Sequence, residues 1–551
     1  MKKSLFNTGK LPWWLIGVSM MMGGGIITEP QMISAALAEG NLSGMWLMWS
    51  ALFGGAVGLS FFAHLWRRVP VKTENEFLLF RFSGRGSRIL HAFRAVYVGG
   101  FLVTFILAFT YIGLSNFMIT AFGLTKDEAI FIITGIVIVA SFFNSLGERI
   151  RLDFIFLIIF ATLFIVVMSA LISDAGGMVH VGNTIANAGI DFSLFPETGT
   201  QAFNAFLVFV LLQWWMASIC DMPDMSGQKM MSAKSPKDVV RSNVLPGIIA
   251  VIIGLFQFML PFIAYADGYF ATGLKPELAY ISVFTNHLSF PLLIAAALMF
   301  LIAFLSVILN NLNWGGSLLI QNFYRYHVRP NATDEQLSRA GLTTMIATAV
   351  AAGVVAYFSD TLFGFARYLF TIAAGVGPVF ILRWYWWRIN AWSQFSAMLA
   401  ALILPNLFEL LMYISPDFNA AIMQACSVME LDLYSFTIIV LSVIVTCIWL
   451  SVTFLTKPDD EITLKRFVDH VYPGGFWPAK YKKGRLYSGA RLLSWTLYAG
   501  RGITIYLAYW SFVKADYWMA AMWTVVFMGL LFVVYRVLNK VNERAEEVES
   551  L

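Results

Sequence analysis

Residues 20–30 read MMMGGGIITEP, inside a hydrophobic run that begins at Leu11 and lasts into the late thirties. Each glycine weakens a helix interior by about 1 kcal/mol relative to alanine, and a proline removes a hydrogen bond, so a helix through this stretch is expected to break. Peptide groups freed by such a break cannot face lipid, where nothing bonds them; they must line protein or a wet hollow. There, free carbonyls suit a small cation and half-helix N-termini suit anionic groups, while Glu29 adds a carboxylate that can hold a positive group or carry a proton. A second apolar stretch is interrupted in the same manner by QWWMASICDMPDMSGQ (213–228). Gly23, Gly24 and Gly25 alone would also suit close helix packing. The matched second break, together with an acid at membrane depth, favours a binding site. Polar groups and indole rings at the two breaks make Thr28, Glu29, Gln213, Trp214 and Trp215 the candidate solute contacts.

The elements that position these groups follow from composition. The 551 residues are 59% hydrophobic and 13% charged, which exposes too much apolar surface for a water-soluble globule and predicts an all-α integral membrane protein in contact with the bilayer. About fourteen apolar segments are long enough to cross, near 12–37, 44–66, 91–121, 127–145, 152–173, 203–219, 242–265, 288–322, 341–358, 361–385, 391–414, 434–456, 490–513 and 517–538. Lys and Arg gather on the segments that an inside N-terminus assigns to the cytoplasm. Lys126, Lys275 and Lys514 fall outside and Arg367 within a span, which places both termini in the cytoplasm, as in a bacterial inner membrane. The net charge of +5 reflects that topology and calls for no nucleic-acid partner.

This orientation implies a symmetry. Segments six to ten run inverted relative to segments one to five, a construction used by secondary transporters with the solute site at the repeat interface. The expected organisation is a first repeat at 1–173, an external loop at 174–202, a second repeat at 203–390 and additional helices with a cytoplasmic loop at 391–551.

Several stretches also resemble the sodium:solute symporter family, particularly a bacterial branch. LFNTGKLPWWLIGVSM (5–20) is similar to the approach to that family's broken first helix, and MWLMWSALFGGAVGLSFFAHLWRRVPVKTENEFLLFRFSGR (45–85) to its second helix and loop. QKMMSAK (228–234) is similar to its Q-R-x-x-x-A-K signature, FLSVILNNLNWGGSLLIQNFYR (304–325) to its eighth helix, and AAGVGPVFILRWYWWRINAWSQ (373–394) to its G-P…R-W-y-W-W-R run. The resemblance implies a five-plus-five inverted-repeat (LeuT-like) core, shared with the amino acid-polyamine-organocation superfamily. It also implies cation-coupled symport, with Na+ as coupling ion, of a small polar solute.

Carried over by position, the family's sodium site corresponds to carbonyls near Met22 and Gly25 on the first helix, with Ala303, Ser306 and Val307 on the eighth. Val307 stands where a hydroxyl is expected, which removes a ligand; Asn310, one turn on, carries an amide oxygen that could replace it. Proton coupling and sodium-independent movement therefore stay open beside Na+ coupling. Asp153 falls where the family carries an acid on the ion's way out; its plainer reading is a carboxylate paired with Arg149 or Arg151. Arg367 needs an acidic partner such as Glu409, or meets a solute carboxylate, and Gly375 and Gly377 beside Pro378 predict a bend in the tenth segment. The RWYWWR run (383–388) reads as an interfacial anchor, and Asp221 and Asp224 as headgroup-zone acids.

An enzyme is not expected, since the chain carries no H-E-x-x-H, G-x-S-x-G or P-loop pattern and its six histidines fall mainly in or near loops. No metal site beyond the sodium position is expected. A membrane solute sensor without transport is the alternative of another class, although the short charged helix at the C-terminal end leaves little room for an output domain.

Overall fold

The computed structural model describes residues 11–23, 29–38, 42–71, 73–142, 146–187, 193–218, 220–221, 229, 233–273, 275–359, 361–481 and 488–550. Pairing of the β type among them is limited to two isolated bridges, Leu11 with Ala233 and Trp386 with Phe476. The remainder of the architecture is helical. The first apolar segment holds two helices, α1 (Trp13–Met22) and α2 (Glu29–Ala38), followed by α3 (Leu42–Arg68), α4 (Gly84–Phe122), α5 (Lys126–Ser141) and α6 (Leu146–Asp174). Next come α7 (Gln201–Met216), α8 (Pro236–Ala266), α9 (Pro276–His287), α10 (Phe290–Val328), α11 (Asp334–Tyr357), α12 (Leu362–Thr371) and α13 (Gly377–Tyr385). The chain ends with α14 (Ala391–Ile414), α15 (Leu433–Leu455), α16 (Ser488–Val513) and α17 (Tyr517–Ser550).

Described helices fall within the apolar segments, and nine among the described residues are long and apolar enough to cross a membrane. Their outward faces are apolar: Phe131 on α5 is 80% exposed and Leu455 at the end of α15 is 86% exposed, side chains that lipid, not water, accommodates. The protein is a multi-pass membrane protein.

The first and tenth segments are each divided between two helices, and the helix of the sixth stops at Met216. α1 stops at Gly23, whose N–H returns to the Ser19 carbonyl at 3.1 Å. α2 restarts with Glu29 in its first turn, where the helix dipole favours an acid, and Pro30 follows where its missing N–H costs no intrahelical bond. α7 starts under a Thr200 cap that accepts the Phe203 N–H at 3.2 Å, widens into a π-type turn at Phe209–Gln213 and ends at Met216. Between α12 and α13, Gly375 takes φ +79°, a conformation that suits glycine. The Gly375 N–H donates to the Met216 carbonyl at 2.9 Å, so the break in the tenth segment closes onto the end of α7. The start of α12 is capped from another helix, since the Glu277 carboxylate of α9 accepts the Leu362 and Phe363 N–H groups at 2.8 Å each.

Packing places α1 at the centre, against α6, α8 and α10, and α2 against α8 and α9. α16 and α17 pair with each other and lean on α8, and Trp495 of α16 donates to the Phe53 carbonyl of α3 at 3.2 Å. Arg501, well inside α16, is another cation within an apolar segment; its guanidinium lies 3.9 Å from the Tyr498 ring centroid.

Candidate functional site

Asp153 and Arg149 lie four residues apart on one face of α6, and Ser306 and Asn310 share a face of α10 by the same spacing. Asp153 is 0% exposed. Its carboxylate accepts from Ser306 Oγ at 2.7 Å, from Asn310 Nδ2 at 3.2 Å to each oxygen, from Arg149 Nε at 3.0 Å, and also from Arg149 Nη2 and Ser19 Oγ. One anion therefore joins α1, α6 and α10. Such a charge is tolerable in the interior only because it is paired and hydrogen-bonded. Arg149 Nη2 also donates to Ser306 Oγ at 3.2 Å, and the guanidinium lies 4.8 Å from the Phe156 ring centroid. Buried Lys229 donates from Nζ to the Ser19 carbonyl at 2.8 Å.

Of the expected ion ligands, Met22 closes α1, and Ala303, Ser306 and Asn310 lie buried on α10, which contacts α1; Gly25 is outside the described residues. Asn310 also donates to the Ser306 carbonyl at 2.9 Å, so its amide turns the nitrogen, not the oxygen, toward the cluster. Hard cations take oxygen ligands and are repelled by neighbouring positive charge. Here Val307 offers a methyl group, the Ser306 hydroxyl donates to Asp153, and a guanidinium touches that hydroxyl. These side chains do not fit a sodium ion. Asp153 combines the position expected for an exit acid with the Arg149 pairing, at full burial rather than at the interface.

The second group of expected residues is used differently from one position to the next. Glu29 Oε1 accepts from Trp49 Nε1 at 3.2 Å, and Trp49 stacks on Tyr506 with 4.2 Å between centroids. Gln213 is fully buried, donates to the Leu47 carbonyl at 2.8 Å and accepts from Tyr434 Oη at 2.9 Å, so its amide braces α7 against α3 and α15. Trp214 and Trp215 donate Nε1 to the Val210 and Leu211 carbonyls at 2.8 Å each, two acceptors within the π-type turn. The Trp214 ring lies 6.1 Å from Phe53 and 6.0 Å from Trp495. Thr28 is outside the described residues.

Two sequence expectations need correction. Asp221 is fully buried, not in a headgroup zone: its Oδ2 accepts from Arg383 Nε at 2.9 Å, Arg383 Nη2 at 2.6 Å and Trp384 Nε1 at 2.6 Å, and its carbonyl accepts from Trp66 Nε1. For the same reason, the RWYWWR run is no simple anchor, because Arg383 and Trp384 are drawn inward by that carboxylate. Asp224 lies outside the described residues. Arg367 lines a hollow of about 790 Å³ with Glu409, Asp432 and Tyr434, and its guanidinium lies over Phe363 at 4.7 Å and Tyr434 at 5.6 Å.

The sequence does not single out Ser19, Trp49 or Tyr434. Ser19 carried a signal as a hydroxyl facing the middle of an otherwise apolar helix. Trp49 and Tyr434 carried none, because one polar-tipped ring looks like any other until its neighbour is known.

Residues 7–401 match the sodium:solute symporter family model. Among curated proteins, the high-affinity proline transporter PutP of Bacillus subtilis (strain 168) is 24% identical over 418 residues, 71% of this chain and 84% of that protein. The osmoregulated proline transporter OpuE of the same organism is 24% identical over 287 residues, 51% of this chain and 56% of that protein. Among solved structures, the substrate-bound, outward-open state of a Na+-coupled sialic acid symporter superposes with a TM-score of 0.60 at 15% identity, covering 83% of this chain and 93% of that one. Its fold is the five-plus-five inverted-repeat arrangement. With most of its length matched by the family model and its first and tenth apolar segments each divided between two helices, the chain belongs to the sodium:solute symporter family.

Proposed function

We propose that the chain is a secondary active transporter that moves a small polar organic solute across a bacterial inner membrane by alternating access. Residues 1–173 and 203–390 form its two inverted repeats, and both termini are cytoplasmic. The observation that carries this reading is the closure of one break upon another: α7 ends at Met216, and the Gly375 amide from the α12–α13 break bonds its carbonyl at 2.9 Å. Interrupted helices that meet inside protein keep peptide groups away from lipid and available to a solute. Family membership supports coupling to a cation gradient, sodium being the ion in the family's name.

The two proline-transporter relatives make a zwitterionic amino acid the first solute class to try. Glu29 offers a carboxylate to an ammonium group, and the aromatic wall around Trp49 and Trp214 offers faces to an apolar ring. The α1, α2, α3, α7 and α8 bundle rocks against the remaining helices to alternate access. Counterflow of labelled proline, a hexose, a nucleoside and a dicarboxylate into liposomes tests this. Exchange of one class supports the transporter; binding without exchange in every class turns the reading to a solute sensor.

A further inference from the structure

We infer that Arg149 is a built-in cation in the place of the coupling ion, so that solute movement does not require sodium at the Ser306 position. The geometry carries the inference. A coupling ion in this region would join the end of the first half-helix to α10. Here that bridge exists without it: Asp153 accepts from Ser19 of α1 and from Ser306 and Asn310 of α10, and Arg149 from the same face of α6 supplies the positive charge. The guanidinium also donates to Ser306 Oγ at 3.2 Å, the one side-chain hydroxyl left where a family ligand pair is expected, since its neighbour is Val307.

Charge balance points the same way. Among the described residues, Asp153 is the one carboxylate bonded to Ser19, Ser306 and Asn310, and Arg149 neutralises it. An added sodium ion would meet the Arg149 guanidinium and a donor-facing Asn310 amide, beside a carboxylate that is already paired. A cation fixed to α6 cannot leave with the solute. The cluster therefore contributes no ion to the stoichiometry.

The test has one arm that depends on the transporter reading and one that does not. Thermal midpoints of the purified chain are measured across rising NaCl and matched choline chloride, and uptake is measured in the same two salts. The wild type is expected to show no sodium-specific rise in midpoint and uptake equal within about twofold between salts. Arg149→Ala, which uncovers Asp153 and Ser306, is expected to acquire a sodium-specific rise that choline does not reproduce. Arg149→Lys, which keeps the charge, is expected to stay indifferent. A sodium-specific stabilisation of the wild type, or uptake that sodium stimulates tenfold or more, overturns the inference even if Arg149→Ala does not fold. If no solute moves in either salt, the transporter reading fails, and the midpoint data still decide the cation.

Discussion

Gly377 lies so close beneath Trp215 that a Cβ added to it would stand 1.8 Å from the Trp215 carbonyl oxygen and 2.6 Å from that of Ser218. Both obstacles are backbone, so the helices themselves must shift. Gly377→Ala is therefore expected to cost about 1–3 kcal/mol or more and to abolish uptake. Gly55→Ala on α3, where nothing lies within 4 Å, serves as the control and leaves both unchanged. Equal thermal midpoints for the two variants would refute the contact.

Asp221 and Arg383 form a buried pair 162 positions apart in sequence. Asp221→Asn leaves a guanidinium without its counter-charge and is expected to lower stability by about 3–5 kcal/mol. Arg383→Met in the same chain should restore much of that loss, because the pair is then removed together. A double variant as unstable as the sum of the single ones would show that the two side chains do not act as a unit.

Glu29→Gln keeps an oxygen acceptor for Trp49 Nε1 and removes the charge. Folding is expected to be retained. Affinity for a solute bearing an ammonium group should fall by tenfold or more, given about 1.5–3 kcal/mol for a hydrogen bond to a charged group. Affinity for an uncharged sugar should not move. Isothermal binding of both solute classes checks this, and an unchanged amino-acid affinity sinks the assignment.

His287 bridges Asp174 at 2.9 Å and Asp267 at 3.0 Å, beside His180 in the same hollow. Burial by itself lowers the imidazolium pKa, but the bonds to Asp267 and Asp174 outweigh it and raise the value above 6.5. A raised folded pKa means that the stabilisation is complete below the unfolded value and is lost as pH rises through the folded one. The contribution is about 1 kcal/mol at most after solvent screening. Midpoints of wild type and His287→Gln should therefore differ at mildly acidic pH and converge above neutrality. A gap independent of pH would exclude the bridge.

The interruptions were legible because glycine and proline act on their own backbone. Gly23, Pro30, Gly375 and Pro378 mark helix ends whatever surrounds them. A pairing of Asp153 with Arg149 or Arg151 is legible in the sequence, but neither the choice between them nor its depth, which depends on α1 and α10 closing over it. Gln213 read as a solute contact because an amide beside a break suggests one; its two partners, Leu47 and Tyr434, come from segments that periodicity cannot bring together. Asp221 reads as a headgroup-zone acid for a related reason. Its partner lies in a run whose tryptophans resemble an interfacial belt, and only tertiary packing turns Arg383 and Trp384 inward.

The Glu277 cap has a mechanical consequence. Because that carboxylate grips two amides at the start of α12, a swing of α12 must drag the neighbouring helix α9 along as a single lever.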